Sequence, residues 1–224
     1  MSWQCSASSN AGLVGNLVRH ELVRTPAVEA AMRAVDRAHY CPAGAPPYED
    51  SPQRIGFAAT ISAPHMHALA LEELGAHLAR RGARVLDVGC GSGYLAAVMG
   101  RMVEAGGGSV VAIDYLEGLT ALSAANLGRA DADLLQGGRV RIVTGDGWQG
   151  VADAAPFDAI HVGAAAASVP AALVAQLKPD GRMVIPVGPE HGDQSLARVE
   201  LDAQGRQVRT ELMGVRYVPL ILQS

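Results

Sequence analysis

The ten residues Val85-Leu-Asp-Val-Gly-Cys-Gly-Ser-Gly-Tyr94 constrain the fold of this chain more than any other stretch. The apolar run up to Val88 reads as a strand buried on both faces. A helix pattern starts at Tyr94, so a glycine-rich turn joins a strand to a helix. Gly89, Gly91 and Gly93 stand at alternate positions, where missing side chains allow a sharp turn and a close approach of backbone to ligand. In an open parallel sheet, such a turn at the carboxyl end of a strand is where ligand crevices form. The spacing also restricts the ligand. The dinucleotide fingerprint G-x-G-x-x-G would need glycine where Tyr94 stands. No Gly-Lys-Ser/Thr follows, which excludes a P-loop.

Apolar, β-branched runs recur at 84–88, 110–114, 140–144, 157–162 and 182–187, and suit parallel strands covered on both faces. Helical stretches at 94–103, 116–129 and 169–177 alternate with them, and Lys178-Pro-Asp-Gly181 reads as a turn after the last. The alternation predicts a doubly wound, mostly parallel sheet with right-handed crossovers. Residues 196–201 and 208–220 then alternate around turn residues 202–205, as an antiparallel hairpin would. That makes seven strands.

The first 82 residues differ in style. Leu13, Val14, Leu17 and Val18 recur at helical spacing. Thr25-Pro26 reads as a cap with proline at the first helical position, followed by Val28, Met32 and Val35 on one face. Residues 40–56 hold four prolines and two glycines, too broken for a regular element, and at that length a loop is expected to be functional. A helix carrying Leu71, Leu74 and Leu78 follows. The expectation is one domain over residues 1–224: a helical and loop extension (1–82), a ligand-binding core (83–190) and the hairpin (191–224).

Composition bounds the partners. Eighteen Lys and Arg against 22 Asp and Glu give a formal charge of −4, and no basic run is present. That argues against nucleic acid as the main partner, because phosphate contacts supply most of such affinity. Cys5, Cys41 and Cys90 form an odd, scattered set with no C-x-x-C, expected to be reduced intracellular thiols. Neither a signal peptide nor an apolar span is legible. A cytosolic monomer without membrane contact is expected.

Four places carry candidate chemistry. Asp114 ends the second strand, where a carboxylate can accept from both ribose hydroxyls of a nucleoside lying across the glycine turn; otherwise it is a surface acid at a helix start. Ser92, inside the turn, either meets the ligand or caps the next helix. Asp146, in Gly145-Asp-Gly147, can accept from an adenine amino group while the adjacent amide donates to the ring; otherwise it is an ordinary Asp-Gly turn. In Ala59-Thr-Ile-Ser-Ala-Pro-His-Met-His67, Ser62 and Pro64 mark a helix start. There the Ser62 hydroxyl and free amides would hold a small anion, or Ser62 is only an N-cap. His65 and His67 lie two apart and face differently on a helix, so no metal site is expected. Ala45-Pro-Pro-Tyr48 has the look of the D/N-P-P-Y motif of amino-methylating enzymes, but it lacks the leading Asp or Asn and precedes the core.

The turn itself, D-x-G-x-G-x-G, resembles the first motif of S-adenosylmethionine-dependent methyltransferases of the Rossmann-like class I fold. More specific are Asp50-Ser-Pro-Gln-Arg-Ile-Gly-Phe57, the segment from Ala59 to His67, Asp158-Ala-Ile-His-Val-Gly-Ala164 and Gly214-Val-Arg-Tyr-Val-Pro-Leu220. Together these resemble the protein-L-isoaspartate (D-aspartate) O-methyltransferase family, animal and plant type, over nearly the whole chain. The resemblance implies methyl transfer from S-adenosyl-L-methionine, leaving S-adenosyl-L-homocysteine, to the free α-carboxylate of L-isoaspartyl and D-aspartyl residues in damaged proteins and peptides. It implies Ser62 as the active-site serine. It also implies Ala59, Thr60, Ile61, Ser62, His67, Gly89, Ser92, Asp114, Asp146 and Gly147 as cofactor positions, and no metal. Relatives carry a polar residue after Val-Pro-Leu and a longer tail reaching the cofactor. Here Ile221 follows and the sequence stops at Ser224, so looser closure is expected.

The substrate carboxylate is ionised at neutral pH, with a pKa near ~3.5, and needs no strong base. Charge annihilates in the transition state, so a cationic clamp would hold the ground state more than the transition state. A neutral donor such as Ser62 avoids that, and no Arg or Lys lies between Gly56 and Leu78. Reading many damaged sequences calls for backbone contacts. The segment from Gly214 to Leu220, with Val218 in it, is expected to add the substrate as a strand, with pairing stopped at Pro219. Two rivals are a methyltransferase of the same fold acting on a small carboxylate or on RNA, and an adaptor that binds the cofactor without catalysis.

Overall fold

A computed structural model describes residues 5–202 and 204–221. The N-terminal segment supplies helices α1 (Asn10–Arg19) and α2 (Pro26–Ala34), and then a two-stranded sheet of β1 (Gln53–Gly56) and β2 (Ala59–Ile61). Helix α3 (Pro64–Leu78) leads into the core: β3 (Arg84–Val88), α4 (Tyr94–Glu104), β4 (Ser109–Asp114), α5 (Glu117–Ala130), α6 (Ala132–Gln136), β5 (Val140–Thr144), β6 (Phe157–Val162), α7 (Ala171–Ala175) and β7 (Leu177–Val187). Strands β8 (Gln194–Leu201) and β9 (Gln207–Val215) finish it. The large sheet has seven strands in the order β5-β4-β3-β6-β7-β8-β9, parallel from β5 to β7 and antiparallel from there outward. The doubly wound sheet and its terminal hairpin match the sequence expectation.

Alternation across β3 and β6 divides the core. Val85 and Ala159 pack with the first helices on one face, and Leu86, Val88, Ile160 and Val162 pack on the other. The topology reverses direction between β3 and β6, and a crevice opens where neighbouring crossovers part. The glycine turn after β3 lies there.

Several expectations need correction. Residues 40–56 are not wholly irregular: β1 occupies their end and pairs with β2 through a turn at Phe57 and Ala58, both at positive φ (53° and 55°). Thr25 stands at the N-cap of α2 without capping it; its amide and hydroxyl instead donate to Glu72 at 2.9 and 2.7 Å. Helix α7 is shorter than 169–177. The segment Lys178–Gly181 is a bulge inside β7, for Phe157 faces Leu177 while Ala159 faces Arg182. Bulges and turns favour the same residues. Strand β9 ends at Val215, and the chain then crosses so that Pro219 bridges Ala165 in parallel. No helix among the described residues is long and apolar enough to cross a membrane.

Candidate active site

Each glycine of the turn takes up a positive φ (76°, 52° and 84° at Gly89, Gly91 and Gly93), a conformation only glycine adopts without strain. Asp114 anchors the turn from the end of β4: its Oδ2 accepts the Gly91 amide at 3.0 Å. Asp114 is buried, which excludes the surface-acid alternative, and burial pushes its carboxyl upward. Ser92 does not cap α4; Gly93 holds that position without a side-chain bond.

Above the turn lies a cavity of about 370 Å³ whose walls include Gly89, Gly91, Asp114, Tyr115, Leu119 and Gly147. The tip of the small sheet, Phe57 to Thr60, covers one side, and Val218 to Ile221 cover another. The second wall is tied down: Ala165 donates to the Val218 carbonyl and accepts from the Leu220 amide, each at 2.8 Å, and the Trp148 indole donates to the Leu220 carbonyl at 3.0 Å. Leu220 and Ile221 thus wall the cavity where a looser closure was expected, and Ser224 lies outside the described residues. Asp146 is absent from the lining. Its Oδ1 accepts the Trp148 amide at 2.9 Å, the turn-forming role, and this presents Gly147 to the cavity.

Deeper, a small chamber is lined by Ser62, His67, Asp87, Ser92, Tyr94 and His161, among others. Asp87 and His161 are register partners on adjacent strands, so their side chains share a face and meet at 2.7 Å through Asp87 Oδ1 and His161 Nδ1. Asp87 Oδ2 is buried without a partner. A buried carboxylate oxygen left unbonded is costly, and here it borders a cavity: a cationic amino group fits. His67 is buried, and burial first, then Arg37, holds its ring well below the usual histidine range. Neither Asp87 nor His161 was singled out in the sequence, although Asp87 is the leading acid of the turn motif.

A third, more open pocket is lined by Ser62, Ala63, Met66, Glu190, Arg216 and Tyr217, among others. All three cavities share Thr60 and Gly163, and Ser62 belongs to the latter two. The Tyr217 hydroxyl is pushed up to about 12 by burial, with the Ser62 side chain acting the other way.

The helix start beyond Ser62 differs from expectation. Ala63, not Ser62, occupies the N-cap of α3, so the N-cap alternative for Ser62 falls. The free amide there is not offered to a ligand: Asp50 accepts from the His65 amide at 2.9 Å and lies 2.8 Å from its ring. His65 thus faces Asp50 and His67 faces Arg37, as two residues out of phase on a helix must. No group of three metal-binding side chains gathers among the described residues. Tyr48 of the Pro-Pro-Tyr sequence donates its hydroxyl to Asp36, at 2.9 Å.

Similarity to known proteins points the same way. The sequence is 44% identical over 220 residues to a protein-L-isoaspartate O-methyltransferase of Caenorhabditis elegans, covering 98% of this chain and 96% of the other. It is 46% identical to that of Triticum aestivum, with 98% and 94% covered. The structure superposes, with a TM-score of 0.87 and 32% identity, on a Plasmodium falciparum protein assigned to the same activity and crystallised with S-adenosyl-L-homocysteine, over 96% of this chain and 99% of that one. With a glycine turn at the sheet's switch point, an orphaned acid beneath it and a family model matching residues 8–224, the chain belongs to the protein-L-isoaspartate(D-aspartate) O-methyltransferase family.

Proposed function

We propose that this chain is an S-adenosylmethionine-dependent protein-L-isoaspartate O-methyltransferase that methylates the free α-carboxylate of L-isoaspartyl residues and, as a lesser activity, D-aspartyl residues. It works as a monomer in the cytosol, with the whole chain as one methyltransferase domain. Family membership carries the substrate class. The meeting of three cavities at Thr60 and Gly163 carries the division of labour.

The residues present fit the cofactor. Asp87 Oδ2 takes its amino group, and Ser62, His67 and Ser92 face its carboxylate end from the same chamber. Asp114 takes the ribose hydroxyls beside Gly89. Gly147, with Asp146 behind it, and the backbone of Ala59 and Thr60 frame the purine side, while Ile61 lines the chamber. When bound, S-adenosylmethionine supplies an electrophilic methyl on a sulfonium sulfur.

The open pocket takes the substrate. Ser62, standing between chamber and pocket, donates its hydroxyl to the incoming carboxylate and fixes its approach. Orientation within about 3–3.5 Å of the reacting carbon is most of what this step requires. A neutral donor lowers the energy of the ionised ground state less than a guanidinium would, which is an advantage when charge is lost on the way to the transition state. The ester formed closes to a succinimide off the enzyme, and hydrolysis returns part of it to normal aspartate.

Val218 is the substrate-side residue of the crossing segment. The inner side of that segment is already engaged: Gly214 and Val215 pair with β8, and Val218 and Leu220 flank Ala165. Substrate pairing therefore uses the outer side, where Pro219 offers a carbonyl and no amide. The Val218 amide lies on the inner side with its carbonyl, so Val218→Pro acts by stiffening the segment ahead of Pro219 while keeping the carbonyl that Ala165 needs. It is expected to raise KM for isoaspartyl peptides several-fold without changing cofactor affinity, and equal KM values would sink the pairing.

The deciding experiment follows labelled methyl from S-adenosylmethionine into one peptide made in isoaspartyl and aspartyl forms, with wild type and Ser62→Ala. Labelling of the isoaspartyl form alone, reduced in the variant, is expected. No labelling with intact cofactor binding would mean an adaptor instead.

A further inference from the structure

Arg37 is a fully buried cation that the sequence reading passed over. It belongs to a short 3-10 turn, Arg37–Tyr40, behind the chamber. Its guanidinium spans three separate segments: Nε donates to the Pro47 carbonyl at 3.0 Å, one terminal nitrogen donates to the Ser62 carbonyl at 2.8 Å, and the other lies 3.4 Å from His67 Nδ1. Its face covers the Tyr94 ring at 5.5 Å. No carboxylate pairs with it among the described residues. A charge buried this way is costly unless its environment is built for it. Two carbonyls, an aromatic face and a ring nitrogen are that environment.

A guanidinium has five N–H donors and no acceptor. Where it meets an imidazole nitrogen, that nitrogen must offer its lone pair, because two facing N–H groups would repel. We propose that Arg37 is a positioning residue that fixes the proton of the His67 ring on Nε2 and holds the Ser62 peptide in place, so that the chamber presents a set donor, the His67 Nε2–H, while the one proton of the Ser62 hydroxyl remains for the incoming substrate carboxylate. His67 Nε2 has no partner among the described residues, and the ring lines the chamber. A ligand group suited to this donor is an acceptor, such as the carboxylate of an amino-acid moiety. Burial, then Arg37, keeps the ring neutral by holding its pKa low, so the donor survives mild acidification of the solvent. The identity of that ligand as the cofactor's carboxylate rests on the function proposed above; the tautomer does not.

The first test needs no variant. Protein with isotope-labelled histidine, free of ligand, is examined by long-range proton–nitrogen correlation at neutral pH, and the His67 signals are identified by their loss in His67→Gln. Bare Nδ1 and protonated Nε2 are expected. A proton on Nδ1, or a doubly protonated ring, overturns the proposal. The second test uses Arg37→Lys, which keeps charge but cannot reach three acceptors in one plane, and Arg37→Met. Mixed His67 tautomers are expected, with S-adenosylhomocysteine bound about tenfold more weakly by protein whose circular dichroism is unchanged. Unaltered affinity in folded Arg37→Lys overturns the positioning role. Should both variants fail to fold, the wild-type spectrum decides. Failure of wild type to bind S-adenosylhomocysteine would strike the cofactor reading alone, since the spectrum reports on Arg37 independently.

Discussion

Among single residues, the glycines of the turn have unequal duties. A Cβ on Gly93 would lie 2.4 Å from Ser123 Oγ and 2.6 Å from Leu127 Cδ1, at a φ of 84°. Gly93→Ala therefore combines backbone strain with overpacking and is expected to cost about 2–5 kcal/mol, read as a lower urea midpoint. A Cβ on Gly89 would meet nothing closer than 3.8 Å, so its protein cost is strain alone, about 1–3 kcal/mol. Gly89 lines both the cavity and the chamber, however, so Gly89→Ala should lose more cofactor affinity than stability. Asp87→Asn leaves a shape that His161 can still bond but removes the orphan's charge. Hydrogen bonds to charged groups contribute about 1.5–3 kcal/mol, so calorimetry should show S-adenosylhomocysteine binding about ten- to a hundredfold weaker. An unchanged Kd would remove Asp87 from the site.

At the level of elements, the small sheet of β1 and β2 rests its tip on a helix. Phe57 is 55% exposed, yet its ring occupies the space where Gly118 of α5 lacks a side chain; a Cβ there would come within 2.3 Å. The exposed ring can swing aside, and alanine favours helix over glycine by up to about 1 kcal/mol. Gly118→Ala is thus expected to hold or raise the melting temperature while raising KM for S-adenosylmethionine, because the displaced ring walls the cavity. Strands β3 to β6 were legible because continuous β-branched runs have few other uses. The small sheet was hidden because its turn is Phe57-Ala58, with none of the Asn or Gly that marks such hairpins. The bulge in β7 read as a turn because Pro-Asp-Gly serves both. Ser62, His67, Ser92 and Asp114 were legible through motif and resemblance. Arg37 and His161 were not, since a charged residue outside a motif reads as surface and a histidine inside a strand reads as core.

For the molecule as a whole, the buried neutral histidine sets a pH limit. Unfolded, His67 titrates near ~6.5; folded, burial and Arg37 hold it well below. As pH falls below about 6.5 the unfolded chain takes a proton that the folded chain refuses, so stability declines, with a limiting slope of about 1.4 kcal/mol per pH unit for one group. His77 is pushed the same way by burial, then by Arg80 and Arg182. Asp158 and Glu72 have carboxyls held low by backbone and side-chain hydrogen bonds that outweigh burial; their stabilisation is lost only in more acid solution, below about pH 4.5. Melting curves between neutral pH and about 5 should fall steadily, and less steeply in His67→Gln. A flat curve in wild type would contradict a buried neutral ring.

The Asp50 carboxylate that receives the first amide of α3 has a practical consequence at the bench. Pro64 has no amide to give, His65 gives its own to Asp50, and Met66 bonds back to Ala63. An oxyanion from the buffer finds this helix terminus already neutralised from within. Replacing a zwitterionic buffer with phosphate or sulfate at matched ionic strength should therefore leave turnover level, and rate data gathered in either medium can be pooled.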